Sequence, residues 1–323
     1  MKVYFLPSYQ QRAPSTRMRV YKIADYFKSQ NQSFEILPYN LPIQEKQAQL
    51  ATIQPDDILY VQKWRTDFNS ADYVGQYKNK CKIIFDIDDL SGDKVVSDLI
   101  LLCDALVVGN HFLQDRYKNI GKPLFLVPSP VDLEEYPEFR QEGSLSISLA
   151  KCGIAPMLGP LNKLKDALLK LKEKYNYHLI LVGFNNRADE LKAKEMFPFA
   201  KCIRLRTYDE YLKNTAPLLQ ETTIGILPFT KRDEGKSGHS ALANLAMGVP
   251  CIASKYAECN YIIQDGVNGF LVNSPNEWYN KIETLFNSPV LRTKFREAGW
   301  KTIEEKYNVP IVGQQLLDSL RKI

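Results

Sequence analysis

Short apolar runs alternate along this chain with stretches in which apolar residues recur every three or four positions. The runs read as buried strands and the 3–4 spacing as helices laid over them, the pattern of βαβ units and parallel sheets. In the first part the runs fall at 3–7, 34–37, 58–61, 82–86, 105–108 and 124–127, with predicted helices over 19–30, 71–78 and 111–119. They make one doubly wound sheet.

A polar stretch rich in Pro and Glu, 128–143, then breaks the rhythm as a linker does. A second set follows, with strands at 145–149, 178–182, 202–205, 223–227, 251–253 and 270–272 and helices over 161–175, 240–247, 277–287 and 290–307. Over 161–175, Leu161, Leu164, Leu168 and Leu171 form the apolar stripe, while Lys163, Lys165, Lys170, Lys172 and Lys174 mostly take the other side. Such a helix either lies on a sheet with a solvated lysine face or rests on a membrane surface; the stripe is needed for the core, which favours the first. Val312, Leu316, Leu317 and Leu320 make 308–323 a further helix, expected to pack back on the first domain. The predicted organisation is therefore a Rossmann-like domain over 1–140, a second over 141–307, and this terminal helix. Doubly wound sheets bind ligands at the carboxyl ends of their strands, and two facing domains merge those crevices into one interdomain cleft.

Length and composition agree with this picture. The 323 residues suit about two domains, and with 45% hydrophobic and 24% charged residues the chain is an ordinary globular one. Its charge of +5 is the balance of 42 basic and 37 acidic residues, which suits anionic ligands without demanding nucleic acid. The apolar run at the start is too short for a signal peptide, and no stretch approaches the ~20 apolar residues of a membrane span, so a cytoplasmic location is expected. The six cysteines contain no Cys-x-x-Cys pair and there are three histidines, which excludes the common zinc spacings and leaves structural thiols.

The sharpest local signal is the polar loop from Pro228 to Ser240, between an apolar strand and a helix, with Gly235-Lys236-Ser237-Gly238-His239 at its centre. Glycines permit close backbone approach, amides at a helix start point outward, and Lys236 adds a full charge, so the segment is a candidate phosphate site. The alternative is a solvated loop with a capped helix. A Walker A loop is excluded, because Thr230 stands where that motif needs glycine. In the first domain Asp86, Asp88 and Asp89 close an apolar strand; they would orient or deprotonate an acceptor hydroxyl, coordinate a metal, or cap a helix. The loop carrying Ser15, Arg17 and Arg19 either grips phosphate or carboxylate or is a solvated basic loop. Lys63-Trp64-Arg65 is an acceptor-side candidate, since tryptophan faces stack on sugars, or a surface segment.

Downstream come Ala246-Met247-Gly248-Val249-Pro250, an apolar strand ending in Ser254, and Asp265-Gly266-Val267-Asn268-Gly269 before another apolar strand. Their order and spacing resemble the donor-side signature of family 4 glycosyltransferases (glycosyl transferases group 1). The likeness spreads to Leu179–Gly183, to the Trp278 helix, to Glu304-Glu305-Lys306-Tyr307 and to the turn Pro128-Ser129-Pro130-Val131-Asp132, about half the chain. It departs where the family carries two glutamates, at Gly235 and Ala243, with Glu234 beside the first. The arginine and lysine that open the family's first donor-domain helix are not evident over 153–165, and Lys236-Ser237 resembles a divergent branch.

The resemblance implies a GT-B fold and transfer of a sugar from a nucleotide-sugar donor to a glycan, lipid-linked or other acceptor, with retention, in cell-surface polysaccharide or glycoconjugate synthesis. It makes Asp86, Asp88 and Lys236 the catalytic candidates. Gly153, Gly183, Arg206, Tyr208, Gly235, Ser237, Gly238 and His239 become the donor-binding set, with the base near Gly183 and Arg206-Thr207-Tyr208. Ser15, Arg17, Arg19, Lys63 and Asp89 line the cleft. With Lys236 and helix amides facing the leaving diphosphate, no metal or other cofactor is expected; peripheral contact with the inner face of a membrane is among the implied partners. Against this stand a noncatalytic nucleotide-sugar-binding or scaffold subunit, suggested by Gly235 and Ala243, and a sugar-nucleotide epimerase, which His111, His178 and His239 support little. No strand is followed by Gly-x-Gly-x-x-Gly, which argues against a dehydrogenase, and the chain lacks the basic stripe and interleaved aromatics of a nucleic-acid binder.

Overall fold

The computed structural model describes residues 1–64, 68–90, 94–136, 145–150, 158–184, 186–205 and 207–323, the side chain of Arg232 excepted. By its internal contacts the chain forms two compact units, one of Met1–Asp132, Gly235–Ser237 and Tyr307–Ile323, the other of Leu133–Glu234 and Gly238–Lys306. The first break lies ahead of 140, and residues 137–144 are outside the described set. Gly235–Ser237, placed by sequence in the second domain, group instead with the first.

The first unit holds one parallel sheet of β1 (Val3–Pro7), β2 (Phe34–Ile36), β3 (Ile58–Gln62), β4 (Lys82–Ile87), β5 (Ala105–Val108) and β6 (Leu124–Leu126), in the order β2-β1-β3-β4-β5-β6. β1, β3 and β5 are buried along their whole length, as strands covered on both faces must be, and this is why they appear as unbroken apolar runs. One face carries Val20, Ile23 and Phe27 with Val312, Leu316, Leu317 and Leu320; the other carries Val74, Val96, Leu99 and Leu113. The last helix, Val309–Leu320, belongs to this unit. Val131 bonds both sides of its start, donating to Tyr307 O (2.7 Å) and accepting from Val309 N (3.1 Å). Gly313 lets the helix approach Tyr26 so closely that a Cβ would lie 2.4 Å from the ring.

The second unit holds β7 (Ser146–Ala150), β8 (His178–Phe184), β9 (Ala200–Arg204), β10 (Ile224–Leu227), β11 (Cys251–Ser254) and β12 (Gly269–Val272), all parallel, ordered β12-β11-β10-β7-β8-β9. In the helix Leu158–Lys174 the stripe Leu161, Leu164, Leu168 and Leu171 lies in the core with Ile147, Leu179 and Ile226. Burying such a leucine contributes roughly 1.5–3 kcal/mol.

All twelve runs expected as strands are strands, but the sheets are not copies. The second has the order in which chain direction reverses between β7 and β10; in the first the reversal lies between β1 and β3. Ligand crevices of open α/β sheets lie at that reversal, outside the carboxyl ends. The order therefore selects the loops after β1 and β3 in one unit and after β7 and β10 in the other.

Candidate functional site

In the first unit the selected loops converge on a buried polar cluster. Ser8 Oγ donates to Gln62 O (2.7 Å), Thr16 Oγ1 to Gln62 Oε1 (3.1 Å), and Asn69 Nδ2 to Leu6 O and Ser8 Oγ (both 3.0 Å). Gln62 and Asn69 are fully buried. Among the described residues, Gln62 Nε2 and Asn69 Oδ1 make no hydrogen bond. None of the four was singled out by sequence, since serine, threonine and amide side chains near strand ends are too common to stand out.

Beside them lies an ion pair that revises one expectation. Arg19, assigned to line the cleft, is buried within the sheet's helical layer, and its fork is consumed internally. Nε donates to Asp86 Oδ2 at 2.9 Å, Nη2 pairs with the same carboxylate, and Nη1 donates to Val127 O at 2.9 Å. A planar guanidinium suits such a site because its donors match a carboxylate and a carbonyl together. Burial opposes the charge on Arg19, but Asp86 outweighs it and raises the pKa further. Burial pushes the Asp86 carboxyl up while Arg19 pulls it back. Asp86 holds Arg19 in the interior.

The other two acids stand differently. Asp88 is buried, and Lys63 Nζ reaches its Oδ1 at 2.8 Å and Asp89 Oδ2 at 2.9 Å; the Asp89 side chain is half exposed. Burial alone would raise the Asp88 carboxyl, but Lys63 and Arg19 outweigh it and hold it below the ordinary range. Lys63 follows β3 with φ +59°, the left-handed region that costs a non-glycine residue free energy. Its amide donates to Asp86 O at 2.8 Å, which fixes the turn that aims the ammonium at both acids. Ser15 and Arg17, in the helical turns Pro14–Thr16 and Arg17–Lys22, are half-buried. Trp64 packs partly buried against the unit's core, and Arg65 lies outside the described residues.

Asn110 joins these acids to the first half of the candidate phosphate loop, within the same unit. Its Oδ1 caps the helix His111–Tyr117 by accepting from Leu113 N (2.9 Å), and its Nδ2 donates to Asp88 O (3.1 Å) and Gly235 O (2.8 Å). Gly235 has φ +81°, and a Cβ there would lie 2.6 Å from that of Leu90. Only glycine fits. Lys236 and Ser237 are half-buried.

In the second unit, β10 runs into the turn Lys231–Asp233, closed by a box in which Asp233 Oδ2 accepts from Thr230 N at 2.8 Å. Glu234 follows and accepts from Tyr256 Oη at 2.9 Å. Gly238 (φ +69°) is the N-cap of the helix His239–Ala246 and supplies no side-chain cap; a Cβ would sit 2.5 Å from Ile262 Cδ1. A helix that starts this way directs its first amides at whatever lies ahead of it, the arrangement that favours an anion. Half-buried His239 is its first residue. Ala243, where the resembled family has a glutamate, is buried.

Of the remaining donor candidates, Gly183 sits at a bulge in β8 with φ +112°, and Gly153 and Arg206 lie outside the described residues. Tyr208, expected near the nucleotide, is buried at 4% exposure in a stack with Tyr211, so its ring is not a platform for a base. The downstream signature is structural. Asp265 Oδ1 accepts from Leu271 N (2.9 Å), Asn268 Oδ1 accepts from Gln264 N (2.8 Å) and its Nδ2 donates to Ile262 O (3.1 Å), and Gly269 lets β12 pass β11 where a Cβ would be 2.6 Å from Cys251 O. The described cysteines are free thiols, those of Cys81 and Cys103 pushed up to about 11 by burial, which suits packing rather than nucleophilic chemistry. Among the described residues no helix is long and apolar enough to cross a membrane.

The family model described as glycosyl transferases group 1 matches residues 161–288, the stretch from the first helix of the second unit to just beyond the Trp278 helix. A search of curated proteins finds no match. Among solved structures, the chain is similar to a glycosyltransferase from Rickettsia africae ESF-5 (TM-score 0.76, 14% identity, 99% of this chain and 97% of that one). It is similar also to Anabaena Alr3699/HepE in complex with UDP and glucose (TM-score 0.70, 14% identity, 100% of each chain). A third is sucrose-phosphate synthase from Thermosynechococcus elongatus (TM-score 0.68, 11% identity, 99% and 98%). At these identities the likeness speaks for the fold, and the matched segment for the domain. Residues 161–288 are thus a glycosyl transferases group 1 domain, carried in a chain with the fold of GT-B glycosyltransferases.

Proposed function

We propose that this chain transfers a sugar from a nucleotide-sugar donor to a hydroxyl of a saccharide or lipid-linked acceptor, with retention at the anomeric carbon, in the assembly of a cell-surface glycan or glycoconjugate. The observation that carries the reading is the loop between β10 and the helix His239–Ala246: two left-handed glycines bracket Lys236 and Ser237 and end on a helix without a side-chain cap. It lies inside the group 1 domain, at the strand reversal where such folds bind ligands. In the reaction, the bond between the anomeric carbon and the diphosphate oxygen breaks, and its electron pair leaves with the nucleoside diphosphate. The acceptor oxygen bonds to that carbon and gives up its proton to phosphate or solvent. Lys236, Ser237 and the helix amides stabilise the charge that gathers on the leaving group, where preorganised donors are most effective. These groups supply that charge without a metal, so a chelator is expected to leave the rate unchanged. The complexes of Anabaena Alr3699/HepE with UDP-glucose and UDP make uridine donors the first to test.

A thermal-shift screen across nucleotide sugars, followed by NMR of the product's anomeric proton, is the test. A donor that stabilises the protein and yields product of unchanged configuration supports the reading; an inverted product removes retention. Gly235 and buried Ala243 at the family's glutamate positions favour one second reading, a noncatalytic nucleotide-sugar-binding subunit. Donor binding with neither transfer nor hydrolysis would select it.

A further inference from the structure

Tyr208 does not offer its ring to a base, and the second unit gives that ring another occupation. Tyr211 lies nearly flat against it, with centroids 5.7 Å apart and planes 19° apart. The hydroxyl of Tyr136 stands 3.3 Å from its own hydroxyl. Its backbone begins a turn capped by Thr207, whose Oγ1 accepts from Glu210 N at 3.1 Å. The imidazole of His239 lies against it, centroids 6.1 Å apart and planes tilted 55°. Tyr211, itself buried, reaches Met247 Sδ with its hydroxyl at 3.8 Å. Met247 is the C-cap of the helix His239–Ala246, so the two tyrosines brace that helix at its first residue and at its end.

An imidazole on a helix start is otherwise poorly fixed, because its outer torsion is broad and roughly two-fold. A ring held on its own far side and at its hydroxyl restricts that rotation without competing for a ring nitrogen. We propose that Tyr208 is a positioning residue for His239, setting the imidazole so that a ring N–H donates to a phosphate oxygen of the leaving nucleoside diphosphate. This rests on the donor reading above. It adds Tyr136 and Tyr211 as the groups that hold Tyr208, and it explains why an aromatic residue beside the phosphate loop is buried. A site held by packed neighbours keeps its donors within the narrow geometry that binding rewards.

The test is a double-mutant cycle read by calorimetry, with inorganic pyrophosphate and UDP as separate probes on the full chain. His239→Gln and Tyr208→Leu are each expected to weaken pyrophosphate binding about ten-fold, and the double variant to bind no more weakly than His239→Gln alone, since coupled residues are not additive. Tyr208→Phe, which keeps the ring and its stack on Tyr211 but loses the Tyr136 contact, is expected to weaken binding about three-fold, less than Tyr208→Leu. The inference is overturned if Tyr208→Leu costs the same factor again in the His239→Gln background, if it leaves the parent's affinity unchanged, or if Tyr208→Phe loses as much as Tyr208→Leu. A purely structural tyrosine gives that additive result. Should Tyr208→Leu fail to fold, Tyr208→Met, whose unbranched flexible side chain fills irregular space without a ring, completes the cycle. A parent that binds neither pyrophosphate nor UDP instead defeats the donor reading itself, and the inference with it.

Discussion

The acidic strand ends of the first unit and the candidate phosphate loop, whose Gly235–Ser237 stretch groups with that unit and whose Gly238 and following helix belong to the second, hold charge near a ligand crevice with opposite materials. At the strand ends the charges are side chains, paired with one another and largely buried: Arg19 with Asp86, Lys63 with Asp88 and Asp89. In the loop the fixed charge is Lys236, and the rest of the positive character is backbone, presented by two left-handed glycines and by a helix start. Buried pairs hold the fold, and removing one partner leaves the other stranded. A helix start without a side-chain cap favours an anion ahead of it. The contrast predicts that substitutions among the acids and their bases act on stability, and those in the loop on donor affinity.

The largest effect should come from Asp86→Ala, which leaves the Arg19 guanidinium buried without its carboxylate. Unfolding in urea is expected to show a loss of about 3–5 kcal/mol; a variant as stable as the parent would mean that the pair is not what holds this edge of the sheet. Next is Lys236→Ala, expected to weaken donor binding roughly 100-fold, about 2.7 kcal/mol, while the melting temperature without ligand stays put. Equal affinity by calorimetry would remove the phosphate assignment and erase the contrast.

Lys63→Met sharpens the comparison through pH. Asp88 is held below the ordinary carboxylate range, so its contribution is in place above its unfolded pKa of about 4 and is lost as the pH falls through the lower folded value. Without Lys63 the carboxylate is buried with less compensation, and about 2 kcal/mol should be missing at neutral pH. Because the variant's Asp88 takes up a proton more readily, the gap between the two proteins should narrow as the pH drops below about 4; a gap of constant size would separate Asp88 from Lys63. The smallest effect is Gly238→Ala, about 1–2 kcal/mol in stability from its left-handed backbone and from the Ile262 contact, the side chain of which can move. It should be accompanied by weaker donor binding, which an ordinary surface glycine would not show.

Much of this architecture is written locally. A parallel strand covered on both faces must be apolar throughout, so every run expected as a strand became one. Helices with a clean stripe, such as Leu158–Lys174, were equally plain. The helices that escaped notice are short or weakly striped. Ile43–Leu50 buries Lys46 and Leu50 and Arg187–Met196 buries Ala193, while Lys94–Leu102 places buried Val96 and Leu99 at helical spacing but within only nine residues. The candidate phosphate loop stands out in the sequence because glycine, lysine and a helix start coincide within a few residues.

The partners of the charged groups were not legible, because pairing is a long-range matter. Arg19 meets Asp86 across 67 positions of sequence, and Tyr136 meets Tyr208 across 72. Nothing near Arg19 distinguishes an arginine turned inward from one that greets a substrate, and nothing near Tyr208 announces a stack. Strand order was hidden for the same reason, since identical runs can be threaded in different sequences and the crevice follows the threading. The sequence by itself determined which segments are strands, that they form parallel sheets, and where glycines, a lysine and a helix start fall together, because periodicity and glycine chemistry act over neighbouring residues. The tertiary structure alone decided that Arg19 and Asp86 stabilise the interior and that Tyr208 braces His239, because burial and pairing depend on which distant residues the fold brings within a few ångströms.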